Sequence, residues 1–167
     1  TITGYNIAGG TDVVIPDYIN GLPVTEIGAI AFMASYVTSI GGAGNVVTVG
    51  DDAFAECYSL TSVSLPQAQT VGVCAFAACF SLTSVSLPQA QTVRFSAFSG
   101  CGSLASISLP QVQTIGSGAF YYCTSLTSVS LPQAKTVGDY AFNDCTSLTS
   151  VYFDNDAPTI GVYIFDG

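Results

Sequence analysis

Six cysteines, eleven carboxylates and a regular supply of serine and threonine hydroxyls are the side chains here with chemistry to offer. Five cysteines, Cys57, Cys79, Cys101, Cys123 and Cys145, fall 22 residues apart. No CxxC pair and no histidine supplies the tetrahedral ligand set of zinc, so no metal site is expected. If each 22-residue unit is one turn of a stack, equivalent side chains lie about 4.8 Å apart, strand to strand. That is wider than the roughly 3.8 Å between Cβ atoms that a disulfide requires. The five thiols are therefore expected to form a buried file of small hydrophobic fillers. Cys74 stands outside it, in the register of Asp52, Ser96, Gly118 and Tyr140, and is expected nearer the surface.

The carboxylates are confined to the ends. All eleven precede Cys57 or follow Gly138, so the middle of the chain has no pair for general acid and base work. With histidine also missing, no catalytic residue and no cofactor are expected. Asp154, Asn155 and Asp156 offer oxygen ligands for a weak calcium loop. The competing reading is a solvated, charged end turn, and it applies equally to Asp51, Asp52 and Glu56. Against these acids stand only two basic residues, and the net charge of −9 excludes nucleic acid as a partner. No apolar run reaches the roughly 18 residues of a membrane span.

The hydroxyls form three files at the same period: Thr61, Thr83, Ala105, Thr127 and Thr149; Ser62, Ser84, Ser106, Ser128 and Ser150; and Ser64, Ser86, Ser108, Ser130 and Tyr152. On one sheet they would make an almost uncharged hydroxyl lattice, able to order water or ice or to accept a polysaccharide or an extended peptide. The plainer alternative is that small polar residues keep a repetitive strand soluble. Gln67, Gln89, Gln111 and Gln133 are expected as a stacked amide ladder at the rim. Aromatic residues vary from unit to unit: Tyr36, Tyr58, Phe80, Phe95, Tyr121, Tyr122, Tyr140, Tyr152 and Tyr163. Such variation on a constant scaffold suits a recognition surface, and equally a shield over an edge. The expected binding set is Ser64, Ser86, Ser108, Ser130 and Tyr152, with Thr61, Thr83, Thr127, Tyr121 and Tyr122.

These residues need a scaffold with the same period. Leu60, Leu82, Leu104, Leu126 and Leu148 repeat every 22 residues, as do Phe32, Phe54, Phe76, Phe98, Phe120 and Phe142. Gly28, Gly50, Gly72, Gly116 and Gly138 keep step, with Arg94 at the one register that lacks glycine. Leucine-type residues at i, i+3 and i+5 (Leu60, Val63, Leu65) define one turn of a leucine-rich solenoid. Each unit should hold a short strand around Val63, ended by Pro66, which has no N–H for a ladder. Ala75, Phe76 and Cys79 at i, i+1 and i+4 predict an inward face on one helical or 3₁₀ turn. Asp51, Ser117 and Asp139 sit where N-caps would serve that turn. The fold expected is an α/β repeat solenoid of about seven turns, with parallel strands on one face and extended, 3₁₀ or short-helix return legs.

The unit Ser125-Leu126-Thr127-Ser128-Val129-Ser130-Leu131-Pro132, continued by Thr136-Val137-Gly138-Asp139-Tyr140-Ala141-Phe142-Asn143-Asp144-Cys145, resembles the BspA-type leucine-rich repeat of bacterial surface proteins. The segment from Val13 to Gly28 resembles the first turn of such arrays. The resemblance covers essentially the whole chain. It implies one solenoid over 1–167, with an N-terminal turn (1–36), an irregular glycine-rich turn (37–59), four regular repeats (60–147) and an irregular C-terminal turn (148–167). The extra residue between Val37 and Val49 is expected to make a bulge or loop at the strand end. The resemblance further implies a non-catalytic adhesion module, secreted or at the cell surface, monomeric, with a protein or glycan partner. The same repeat also fits a structural spacer or a phage-tail component. The terminus Phe165-Asp166-Gly167 falls inside the motif, so a segment of a longer protein is expected.

Overall fold

The computed structural model describes residues 1–4, 10–154 and 158–166. Its strands are β1 (Asp12–Ile15), the hairpin β2 (Tyr18–Ile19) and β3 (Leu22–Pro23), β4 (Glu26–Ile27), β5 (Ser39–Gly42) and β6 (Thr48–Val49). After these a longer and a two-residue strand alternate: β7 (Ser62–Ser64), β8 (Thr70–Val71), β9 (Ser84–Ser86), β10 (Thr92–Val93) and β11 (Ser106–Ser108). The series ends with β12 (Thr114–Ile115), β13 (Ser128–Ser130), β14 (Thr136–Val137), β15 (Ser150–Tyr152) and β16 (Thr159–Ile160).

Two parallel sheets of seven strands result, in the orders β1-β5-β7-β9-β11-β13-β15 and β4-β6-β8-β10-β12-β14-β16. Seven strands per sheet mean six steps from first to last, so the stack has about six turns rather than about seven. The register is that of the repeat, with Ser62 opposite Ser84, Val63 opposite Val85 and Ser64 opposite Ser86. Period-two alternation sends Val63 inward and Ser64 outward. The second sheet adds a face to the expected fold: Thr70 is turned outward and Val71 is buried, and the same pairing of threonine with a buried valine or isoleucine recurs at β6, β10, β12 and β14.

The third side of each turn corrects the α/β expectation, because the described residues contain no α-helix and no 3₁₀ return leg. Asp52 and Glu56 are left-handed, with φ of 53° and 60°, and so are Cys74 (51°) and Ala78 (58°) one turn on. A left-handed residue flips its peptide away from the helical direction, so successive N–H groups diverge. Those of Asp52, Phe54 and Glu56 donate across to the carbonyls of Val73, Ala75 and Ala77 at 2.7–2.8 Å. Those of Ala53, Ala55 and Cys57 close local turns onto Gly50, Asp52 and Phe54 at 3.1–3.3 Å. Every backbone donor from Asp52 to Cys57 is thus used without a helix. Asp51 and Asp139 do cap, but each reaches onward rather than into its own turn, Asp51 Oδ1 accepting from the Val73 N–H (2.8 Å) and Asp139 Oδ1 from the Val162 N–H (2.9 Å). Among the described residues Ser117 makes no such side-chain bond.

The core runs down the axis. Phe32, Phe54, Phe76, Phe98, Phe120 and Phe142 stack with ring centroids 4.9–5.3 Å apart and planes within 4–11°. Leu60, Leu82, Leu104 and Leu126 are fully buried beside them. Where the second sheet meets the turn side, neighbouring turns come close: a Cβ at Gly116 would lie 2.6 Å from the Arg94 carbonyl carbon and the Phe95 nitrogen. Arg94 is the one residue with a side chain in that register, and its N–H···O bond to Val71 is 3.0 Å against 2.7 Å at Gly50 and Gly116. In the glycine-rich turn, the backbone leaves β5 through left-handed Gly42 (φ 71°) and Ala43 (φ 56°), the irregular strand end expected there.

Candidate functional site

The first sheet presents the hydroxyl files, and the structure divides them by chemistry. Each threonine Oγ1 donates to a carbonyl one turn back: Thr61 to Thr38 (2.9 Å), Thr83 to Thr61 (3.1 Å), Thr127 to Ala105 (3.1 Å) and Thr149 to Thr127 (3.0 Å). Those protons are committed to the scaffold, so Thr61, Thr83 and Thr127 keep only acceptor lone pairs for a ligand. Ser64, Ser86, Ser108 and Ser130 are exposed, and their hydroxyls hydrogen-bond to nothing among the described residues. Their file ends at Tyr152, whose phenol donates to Asp154 Oδ1 at 2.9 Å, and that carboxylate raises its pKa.

Tyr121 and Tyr122 do not join this lattice. They lie on the turn side, where the Tyr122 N–H donates to the Asn143 carbonyl at 3.0 Å. The expected binding set is therefore split between two faces. On the turn side the variable aromatics form two groups. Toward the amino end, Tyr58 and Phe80 stack at 5.4 Å, with exposed Tyr36 in the same register. Toward the carboxyl end, Tyr140 and Tyr163 stack at 5.3 Å, and Tyr121 and Tyr122 meet at 6.1 Å with rings tilted by 40°. These four tyrosines are 40–57% exposed. The Asp144 carboxylate beside Tyr121 raises that phenol's pKa.

The thiol file is buried and all six cysteines are free. It is more than filler, because every Sγ donates to a phenylalanine carbonyl of the preceding turn: Cys57 to Phe32 (3.0 Å), Cys79 to Phe54 (3.1 Å), Cys101 to Phe76 (3.2 Å), Cys123 to Phe98 (3.2 Å) and Cys145 to Phe120 (3.0 Å). Burial pushes Cys101 up to about 12 and raises Cys79 as well. Cys74 is half-buried as expected, yet burial and the Asp52 and Asp51 carboxylates also raise its pKa, so access rather than thiolate character sets it apart.

Two recesses complete the surface. One of about 250 Å³ lies along the glycine register between Glu26, Asp51, Thr48, Thr70 and Arg94, the last two turns away from Asp51 and 4.0 Å from it. The other, about 430 Å³, opens at the last turn between Phe142, Leu148, Val151, Phe153 and Phe165. Among the described residues no cluster of acidic or cysteine side chains is arranged for a metal. Of the calcium candidates, Asn155 and Asp156 lie outside the described residues, and Asp154 is engaged by Tyr152. No helix among the described residues is long and apolar enough to cross a membrane. Sequence reasoning missed the outward threonines of the second sheet, Thr70, Thr92, Thr114 and Thr136; their period was visible, but two-residue strands carry no alternation that would assign a face.

A period of 22, stacked phenylalanines, a thiol ladder and paired parallel sheets define a leucine-rich repeat solenoid. The model of the BspA type leucine rich repeat region matches six copies over residues 25–111 and 69–167, and the chain belongs to that family. Among solved structures it is similar to the leucine-rich repeat protein TpLRR of T. pallidum, with 34% identity, a TM-score of 0.85, and 92% of this chain and 73% of that one covered. A leucine-rich cell surface protein of Faecalibacterium prausnitzii shares the fold at 24% identity and TM-score 0.78, over 88% of this chain and 48% of that one. So does a leucine-rich repeat protein of Eubacterium ventriosum, at 24% identity and TM-score 0.74, over 92% and 45%. The curated proteins gave no significant match.

Proposed function

We propose that this chain is a non-catalytic binding module of a bacterial surface or secreted protein, recognising a protein or glycan partner through its strand face and its exposed aromatic side chains. The observation that carries this reading is the file Ser64, Ser86, Ser108 and Ser130, whose hydroxyls are exposed and unpartnered on a parallel sheet where the neighbouring threonine hydroxyls Thr61, Thr83 and Thr127 are tied down. Free donors and acceptors at a fixed strand spacing offer the same contact four times over, which suits a repetitive or extended ligand. Membership in the BspA-type family supports the reading, as does the likeness to a cell surface protein.

The test is a screen of the purified chain against immobilised glycans and extracellular matrix proteins, repeated with Ser86→Lys and Ser108→Lys together. Binding should be lost in the double variant while its melting curve is unchanged. The central part of the strand face has no charged side chain, so binding there should change little between low and moderate salt, where exposed charges are screened over about 8 Å. Binding to every partner unaltered by the lysines, or no binding at all, would refute the strand face as the site.

A further inference from the structure

Resting on the binding-module reading, we propose that the tyrosine and aspartate surface on the turn side of the last turns docks a cationic, arginine-bearing segment of a partner protein. Tyr140 stacks on Tyr163, and Tyr121 packs beside Tyr122, so four exposed rings lie on one side of the solenoid. Asp144 stands next to Tyr121, and its N–H donates to the Asp166 carbonyl at 2.8 Å, which brings a second carboxylate-bearing residue to the same edge. Aromatic faces beside carboxylates are the environment in which a guanidinium binds best: it stacks on the ring and offers forked donors to the acid.

Charge balance points the same way. The chain carries net charge −9 with only two basic side chains. Arg94 lies against Asp51 at 4.0 Å and the Lys135 ammonium donates to Gln113 at 3.0 Å. Among the described residues neither Asp144 nor Asp166 has an ion pair, which leaves both carboxylates open to a cation from outside the chain.

The backbone adds an independent observation. Tyr122, Tyr140 and Tyr163 are all left-handed, with φ of 59°, 55° and 54°. Bulky side chains are disfavoured there. The fold does not require them: Gly100 stands one turn before Tyr122 in the same register and Gly118 one turn before Tyr140, both with positive φ. Tyr122 and Tyr140 thus occupy left-handed positions that glycine fills one turn earlier, and no burial rewards them, since both rings are largely exposed.

The experiment titrates the intact chain with a soluble Gly-Ser-Arg repeat peptide, its Gly-Ser-Glu counterpart and a neutral glucose oligosaccharide, read by calorimetry. The arginine peptide should bind, more weakly as salt rises, and the glutamate peptide should not. Tyr140→Ala combined with Tyr163→Ala should weaken it about tenfold or more, and Asp144→Asn several-fold. Asp52→Asn, an acid on the turn side near the amino end, should leave it unchanged. Because the two tyrosines are exposed and the two aspartates only half-buried, melting curves of the variants should stay close to the parent. Arginine-peptide binding that ignores the tyrosine substitutions, or follows Asp52 as strongly as Asp144, would reduce it to diffuse charge and overturn the proposal. So would failure of the arginine peptide to bind. Oligosaccharide binding lost with the tyrosines would also overturn it, while leaving the binding-module reading standing on a different ligand.

Discussion

The strand face and the turn side are built from the same period and the same inter-turn bonding, yet they treat their outward side chains differently. On the strand face the outward residue at one position is serine in four successive turns, Ser64 to Ser130, with Val14 and Gly41 in that register before them and Tyr152 after. On the turn side the register of Asp52 runs through Cys74, Ser96, Gly118 and Tyr140, five different residues in five turns. Neither backbone demands its pattern, since outward groups on both sides add nothing to the core. The inward halves differ as well. The strand face contributes aliphatics, Leu60, Val63 and Leu65 in one turn, whereas the turn side supplies the phenylalanine stack and the thiol ladder. Stability is therefore concentrated behind the variable surface, which leaves that surface free to change while its backbone stays in place.

The sharpest way to break this comparison is to remove one ring. Phe98 stacks on both Phe76 and Phe120, and Phe98→Ala should cost about 3–5 kcal/mol in urea denaturation. The strand-face change Ser86→Ala should stay within about 0.5 kcal/mol of the parent. Similar losses for the two would show that the core is not biased toward the turn side.

Alkali should separate the faces next. The native Cys101 thiol is held protonated up to about 12, against 9.0 when exposed. Between those values the native state holds the proton and the unfolded chain gives it up. The thiol's contribution is thus complete below about pH 9 and falls as pH rises, by about 1.4 kcal/mol per pH unit for each such thiol. Urea midpoints measured from pH 8 to 11 should decline steeply, and Cys101→Ser, which still donates to the Phe76 carbonyl without titrating, should flatten the slope. A decline unaffected by Cys101→Ser would assign it to the other buried thiols and the tyrosines.

Glycine gives the smallest effect and a change of sign. Ser96 is left-handed with φ of 51°, and Ser96→Gly should stabilise by about 0.5–1 kcal/mol, the relief of the left-handed cost less the added chain entropy. Ser86→Gly, in an extended strand, should destabilise by about the same amount. Two thermal melts decide it, and equal signs would mean that the turn-side backbone is not strained at these positions.

The repeat was legible because its period is covalent: every Leu, Phe and Cys file can be counted along the chain, and each member is buried where the count placed it except Leu148, which is half-buried at the last turn. The first sheet was legible too, since Ser62-Val63-Ser64 alternates long enough to show which side is inward. The turn side was misread because Ala75, Phe76 and Cys79 point inward from one helical turn or from successive left-handed turns alike. What separates the two is the direction of alternate N–H groups, and their acceptors lie some 21 residues away. The thiols carried the same ambiguity: filler and hydrogen-bond donor need the same burial, and only the position of the Phe carbonyls tells them apart.

For the candidate site, the chain by itself determined which residues recur in register and that the middle turns have almost no charge. Both are properties of order and composition, and folding does not alter them. The tertiary structure decided on which of three sides each register lies, which hydroxyls the backbone consumes, and that Tyr121 and Tyr122 belong with Tyr140 and Tyr163 instead of with the serines. A period assigns a residue its place along the axis, but its place around the axis depends on where the backbone bends, and here the bends are set by left-handed residues and inter-turn hydrogen bonds that no local pattern announces.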